Sequence, residues 1–167
     1  MDKFNDLFHN IPEGYLAIFW TIIIIALVIG YTIEILFILT LHNTMKAVSI
    51  QNRAMPIGQL WLLLIPLFGT VWIFIVVNKL SQSIEKEFLT RSVAVEPRPT
   101  YSIGLTYSIL GASTILPIPI INSLIAFAAL ICWIIYWIKV GEYKNRLRNL
   151  PPIQFSESQI FGNTIPQ

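Results

Sequence analysis

The stretch Val28–Leu39, VIGYTIEILFIL, places one carboxylate, Glu34, within a run of apolar or hydroxylated side chains. An acid near the centre of a bilayer costs about 2.5–3.5 kcal/mol on insertion scales, so it normally faces a bundle or a wet cavity and takes a partner. Three partners suggest themselves: Tyr31, one turn earlier on the same helical face; Arg53 in the following loop; and Asn122 in a later apolar run. Glu34, Tyr31, Arg53 and Asn122 are therefore the candidate intramembrane polar site. Such a set either clamps helices in register or passes a proton or cation, and the clamp, with Glu34 paired to Arg53, is the expectation adopted here.

A second group of residues concerns the backbone. Pro66 and Gly69 fall near the middle of LWLLLIPLFGTVWIFIVV, and Pro117 and Pro119 punctuate LPIPIIN. Proline removes a helical hydrogen bond and crowds the preceding turn, which predicts a kink at Pro66 and a tight turn at Pro117–Pro119. Broken helices also expose backbone dipoles, the device by which transporters form sites inside a membrane.

Other chemistry has little support. His9 and His42 fall on opposite sides of the expected membrane, and no Cys, His or acid spacing resembles a metal motif. There is no G-x-S-x-G, phosphate loop or kinase signature. Glu85 and Glu87 point about 200° apart on a helix and read as a solvated charge run. The single cysteine, Cys132, excludes an intrachain disulfide. The net charge is only +2 and the 11 Lys and Arg are scattered, so nucleic acid is not an expected partner. We expect a non-enzymatic protein with no catalytic residues, metal or cofactor.

The elements that would position these residues follow from composition. Of 167 residues, 55% are hydrophobic and 12% charged, and the mean hydropathy is +0.68, outside the range of ordinary soluble domains. The acidic head lacks a basic leader region and no A-x-A-like site follows, so the first apolar run reads as retained. Four spans are expected, at about residues 15–41, 60–77, 101–116 and 120–138, in a transmembrane domain over 1–150 followed by a cytoplasmic tail, 151–167. The first is about 40 Å long against a hydrocarbon core of about 30 Å and must tilt or project. The third is short and hydroxyl-rich; a re-entrant arm is the alternative to a thin span. Trp133, Tyr136, Trp137 and Lys139 read as an interfacial belt.

Counting Lys and Arg over this topology gives nine on the side of both termini against two, Lys46 and Arg53, which predicts cytoplasmic termini. A miscounted third span would spoil that parity. Leu80, Ile84 and Phe88, spaced by four, predict that the second helix continues past the membrane as an amphipathic extension. The halves also align: IPLFGTVWIF (65–74) matches IPIINSLIAF (118–127), as two repeated helical hairpins would.

Over NRAMPIGQLWLLLIPLFGTVWIFIVVNKLSQSIEKEF, residues 52–88, the chain resembles uncharacterised small bacterial inner-membrane proteins of about four spans. In these an Arg-containing loop precedes a W-x-x-x-I-P second helix with a polar, S-x-x-E-like end. The resemblance implies an α-helical membrane fold in a bacterial inner membrane and carries no catalytic residues.

The expectation is thus an all-α membrane protein, a four-helix bundle acting as a structural or accessory subunit. Its partners would be the lipid bilayer and either a second copy or another membrane protein, with Gly104, Gly111, Ala112 and Ser113 offering close-packing faces. The competing expectation is a small transporter or oligomeric channel using Glu34 and the Pro66 break.

Overall fold

The computed structural model describes residues 13–115 and 119–151. The acidic head, Pro117 and the tail from residue 152 lie outside the described residues, and with them the expectations placed there. All regular structure among the described residues is helical: α1 (Glu13–Ala47), a one-turn 3₁₀ segment (Ile50–Asn52), a 3₁₀ run (Ile57–Leu64), α2 (Phe68–Thr90), α3 (Tyr101–Ser113) and α4 (Pro119–Arg148). The chain divides into two compact units, residues 1–37 and 38–167.

The described part of the first unit is the apolar body of α1. Its side chains are apolar on every face, and Ile22 and Val28 are 61% and 62% exposed. A helix apolar nearly all round and left this exposed has the pattern of a membrane span. Thr21 and Thr32 return their hydroxyls to the carbonyls of Ala17 and Val28, at 2.8 and 2.7 Å, satisfying them without water. Among the described residues two helices are long and apolar enough to cross a membrane: α1 over Gly14–Ala47, with mean hydropathy 2.8, and α4 over Ile121–Arg148, with 2.1. Only 11% of each apolar window is buried, whereas the core helix of a soluble protein would be mostly covered.

In the second unit the expected second span is not one helix. Ile57–Leu64 forms a 3₁₀ run, and Pro66 lies at a reversal rather than a kink. Ile65, held extended before proline, and Leu67, at φ 62°, turn the chain so that α2 runs back along the segment it follows. Three contacts fix this antiparallel hairpin. The Ala54 amide donates to Ser83 Oγ at 2.9 Å, Trp72 Nε1 donates to the Gln59 carbonyl at 2.9 Å, and Gly69 lies against the Leu63 carbonyl. A Cβ on residue 69 would overlap that carbonyl, so the role of Gly69 is close approach at the tip. Eight 3₁₀ residues span roughly 16 Å at about 2.0 Å each, about half a hydrocarbon core.

The third segment is also short: the 13 residues of α3 extend roughly 20 Å at 1.5 Å each. α3 packs between α2 and α4, where a Cβ on Gly104 would stand 2.7 Å from both the Tyr136 ring and Val77. Tyr136 is wholly buried and stacks on Tyr107 with centroids 6.3 Å apart. It belongs to the core and not to the expected interfacial belt. Trp137 is held too, donating from Nε1 to Thr40 Oγ1 at 2.8 Å. Leu80, Ile84 and Phe88 form a buried stripe, as their spacing predicts, and meet Tyr136, Val140 and Leu147 in one core.

The end of α1 and the end of α4 run in the same direction. Thr40 is level with Trp137, Ser49 with Glu87, and Phe88 with Tyr143, whose rings meet edge-on at 6.0 Å. Residues 46–54, the C-terminal turns of α2, the start of α3 and the C-terminal turns of α4 therefore gather at one polar end. The reversal at Ile65–Leu67, and the Thr114 and Asn122 ends of α3 and α4, lie away from it.

Two of the glycines on the packed helices, Gly104 and Gly141, differ in a measurable way. Gly104→Ala forces a methyl into the α2–α3–α4 junction and should lower stability by about 1–3 kcal/mol, the range for overpacking. Gly141→Ala meets nothing within 4 Å and should be neutral or stabilise by up to about 1 kcal/mol through helix propensity. Thermal unfolding of detergent-solubilised protein separates the two; equal effects would contradict the packing described.

Candidate functional site

The most highly coordinated polar group in the described structure is Glu87, on the face of α2 that also carries Leu80, Ile84 and Arg91. Its side chain is fully buried. Glu87 Oε1 accepts from Ser49 Oγ at 2.8 Å and from Arg91 Nε and Nη2 at 2.8 and 2.6 Å. Glu87 Oε2 accepts from the Ser49 amide at 2.9 Å and from Asn52 Nδ2 at 2.8 Å.

Local sequence builds this arrangement. Ser49 and Asn52 flank the single 3₁₀ turn after α1, with Asn52 N bonded to Ser49 O at 2.9 Å, so an amide, a hydroxyl and a carboxamide converge on one point. Arg91 lies one turn after Glu87 and closes the ion pair from the same helix. The network extends outward: Asn52 Nδ2 also donates to Thr90 Oγ1 at 3.1 Å, and Arg91 Nη1 donates to the Pro151 carbonyl at 2.9 Å. The segments after α1, at the end of α2 and after α4 are thereby tied to one carboxylate.

Burial pushes the Glu87 carboxyl up, yet the bonds from Asn52, Ser49 and Arg91 outweigh it and hold the group below its ordinary value. A carboxylate offers about four lone-pair sites, and five donors occupy them. No acceptor capacity is left to abstract a proton or bind a ligand, so the arrangement is a clamp. Nearby, Tyr143 OH donates to Glu96 Oε1 at 2.9 Å, and the Arg146 guanidinium lies 5.2 and 5.1 Å from the centroids of Phe88 and Tyr143.

Within the second unit, the expected partners Arg53 and Asn122 are not brought together. Arg53 donates from Nε to the Val48 carbonyl at 3.0 Å and from Nη2 to the Lys46 carbonyl at 3.4 Å, staying within its own loop. Asn122 lies at the other end of the second unit, its Nδ2 directed to the Thr114 carbonyl at 3.3 Å. Glu34 and Tyr31 lie on the α1 segment of the first unit, with Tyr31 exposed. Pro66 and Gly69 do mark a helix break, a full reversal, and Pro119 opens α4. No group of three or more His, Cys, Asp or Glu able to hold a metal occurs among the described residues.

Glu87 itself was misread as part of a solvated run with Glu85. The informative signal was position: residues 80, 84, 87, 88 and 91 follow the 3–4 spacing of one helical face, so Glu87 shares the apolar stripe. The sequence matches no family model, and neither the curated proteins nor the solved structures show a match.

Two outcomes test the clamp. Glu87→Gln leaves Arg91 without its counter-ion in a largely buried position and should destabilise the protein by about 3–5 kcal/mol. The second concerns pH. Because the folded carboxyl binds its proton less readily than the unfolded one, its contribution is present above the ordinary value of 4.5 and is lost as pH falls through the lower folded value. Melting temperature measured from pH 7 to pH 3 should fall below about pH 4.5 in the wild type and less steeply in Glu87→Gln. Parallel curves would show that Glu87 does not carry the acid sensitivity.

Proposed function

We propose that the protein is a non-enzymatic integral membrane protein of the bacterial inner membrane, acting as a structural or accessory subunit. The observation that carries this reading is the closed coordination of Glu87: the elaborated polar centre holds the fold and leaves no free acceptor for chemistry. The two long apolar helices, Gly14–Ala47 and Ile121–Arg148, support the membrane part of this reading.

The hairpin geometry favours a revised topology. Ser49 and Glu87 share a hydrogen bond, so the loop after α1 and the end of α2 lie on one side of any membrane. Placing the polar end in the cytoplasm gathers ten of the eleven Lys and Arg there, from Lys46 to Arg148, a stronger asymmetry than the nine against two of a four-span count. In this arrangement α1 crosses the bilayer. The hairpins reversing near Pro66 and before Pro119 enter from the cytoplasmic face, and each pairs a short helix with a longer one, as the repeated I-P motif suggests.

Cysteine labelling tests it. In a Cys132→Ser background, Ile50→Cys and Ser92→Cys, both at exposed positions, should react with an impermeant maleimide only in inverted vesicles, while Gly14→Cys reacts from outside. Reaction of Ile50→Cys from outside with Ser92→Cys protected would restore the four-span count. Mild-detergent purification should recover the protein as an oligomer or with a membrane partner; a monodisperse lone monomer would count against an accessory role.

One observation favours a second reading, a small transporter or channel: backbone leaves helical geometry at Ile65–Leu67, inside an apolar hairpin. Cation or proton flux in proteoliposomes, abolished by Glu34→Gln with assembly intact, would select it over the structural role.

A further inference from the structure

Where α4 leaves its apolar stretch, a groove of about 300 Å³ opens between α4 and the final turns of α1, lined by Thr40, Ile134, Trp137, Ile138, Gly141 and Lys144. Its chemistry is graded along its length. Ile134 and Ile138 are exposed apolar side chains at the membrane end, and Trp137 is fixed beside them through its bond to Thr40. Lys144 lies at the polar end, in no ion pair among the described residues.

Gly141 is the informative residue. Glycine weakens a helix interior relative to alanine, and a Cβ here would meet nothing within 4 Å, so no packing among the described residues explains it. Gly104, by contrast, is required by Tyr136 and Val77. A glycine facing an open groove, with an apolar wall on one side and a free cation one turn beyond, suits an amphipathic anion lying close to the backbone.

We propose that this groove binds one anionic phospholipid, its phosphate at Lys144, its glycerol region over Gly141 and an acyl chain along Ile134 and Ile138. The proposal rests on the membrane location above. It goes beyond general attraction of a basic surface to anionic lipid because it assigns one site with an apolar and a charged part.

Native mass spectrometry of the full-length protein tests it, after extraction from vesicles of equimolar phosphatidylglycerol and phosphatidylcholine. The wild type should retain one phosphatidylglycerol in preference to phosphatidylcholine. Lys144→Gln should lower that retention about five-fold, the effect of one basic residue at an anionic surface. Gly141→Leu, which fills the groove, should lower it at least as far, and Lys86→Gln, removing an exposed cation on α2, should leave it unchanged.

Equal retention of the two lipids by the wild type would overturn the proposal, as would equal losses in Lys86→Gln and Lys144→Gln, which indicate diffuse attraction. Unchanged lipid in Gly141→Leu with a lost oligomer would assign the groove to a second copy and overturn it as well. Should Gly141→Leu fail to fold, the two lysine variants decide. Failure of the membrane reading is distinct: the wild type would then be recovered in the aqueous fraction without detergent.

Discussion

One buried carboxylate governs the polar end of this molecule. Removing an ionised group from water is costly by several kcal/mol unless its lone pairs are filled and its charge is matched. Glu87 meets both conditions, through five donors on Ser49, Asn52 and Arg91. The condition also works in reverse. Because the group tolerates no missing partner, it fixes where the turn after α1 sits on α2, and through Arg91 and the Pro151 carbonyl it fixes where α4 ends. Apolar helices in lipid slide against one another with little hydrophobic penalty, since lipid tails are as apolar as leucine. A directional network at the polar end supplies register that apolar burial alone does not.

That register forces the hairpins. Once Ser49 is held against Glu87, the segment 53–67 has to travel away from the polar end and return within the span of α2. The chain does this with residues suited to the reversal: Pro66 excludes continuation of the preceding run, and Gly69 lets the Leu63 carbonyl lie against α2. Leu67 adopts a positive φ at the tip, a conformation costing a non-glycine residue roughly 1–2 kcal/mol. The Trp72–Gln59 bond and the approach of Gly69 to the Leu63 carbonyl tie the two arms near the tip, and the Ala54–Ser83 bond ties them at the polar end.

The helical class and the two long apolar helices were legible in the sequence, because twenty or more consecutive apolar residues have few alternatives in water. So was the stripe of Leu80, Ile84 and Phe88, which continues α2 beyond the apolar layer. The course of the second apolar run was not. LWLLLIPLFGTVWIFIVV has the composition and length of one crossing, and whether proline bends a helix or reverses it depends on contacts made elsewhere, here the distant pairing of residue 49 with residue 87. The bonding of Arg53 was hidden for a related reason. Glu34 and Arg53 are plausible partners by charge and span arithmetic, but Arg53 found nearer acceptors in its own loop, the Val48 and Lys46 carbonyls. Short-range backbone acceptors require little ordering, and a long side chain reaches them first.

The same logic explains why the two acids of α2 diverge. Glu85 and Glu87 are two residues apart, so a helix places them on nearly opposite faces. Charge type alone suggested solvent for both. The apolar period assigns Glu87 to the inner face and makes a partner there obligatory, and Arg91, four residues on, is the nearest group of opposite sign on that face. An acid on the apolar stripe at the polar end of a helix, followed one turn later by an arginine, is therefore better read as a docking point for a neighbouring loop than as a surface charge. Ser49 and Asn52 are suited to that loop because serine and asparagine place donors close to the backbone, where a single 3₁₀ turn can aim them at one carboxylate.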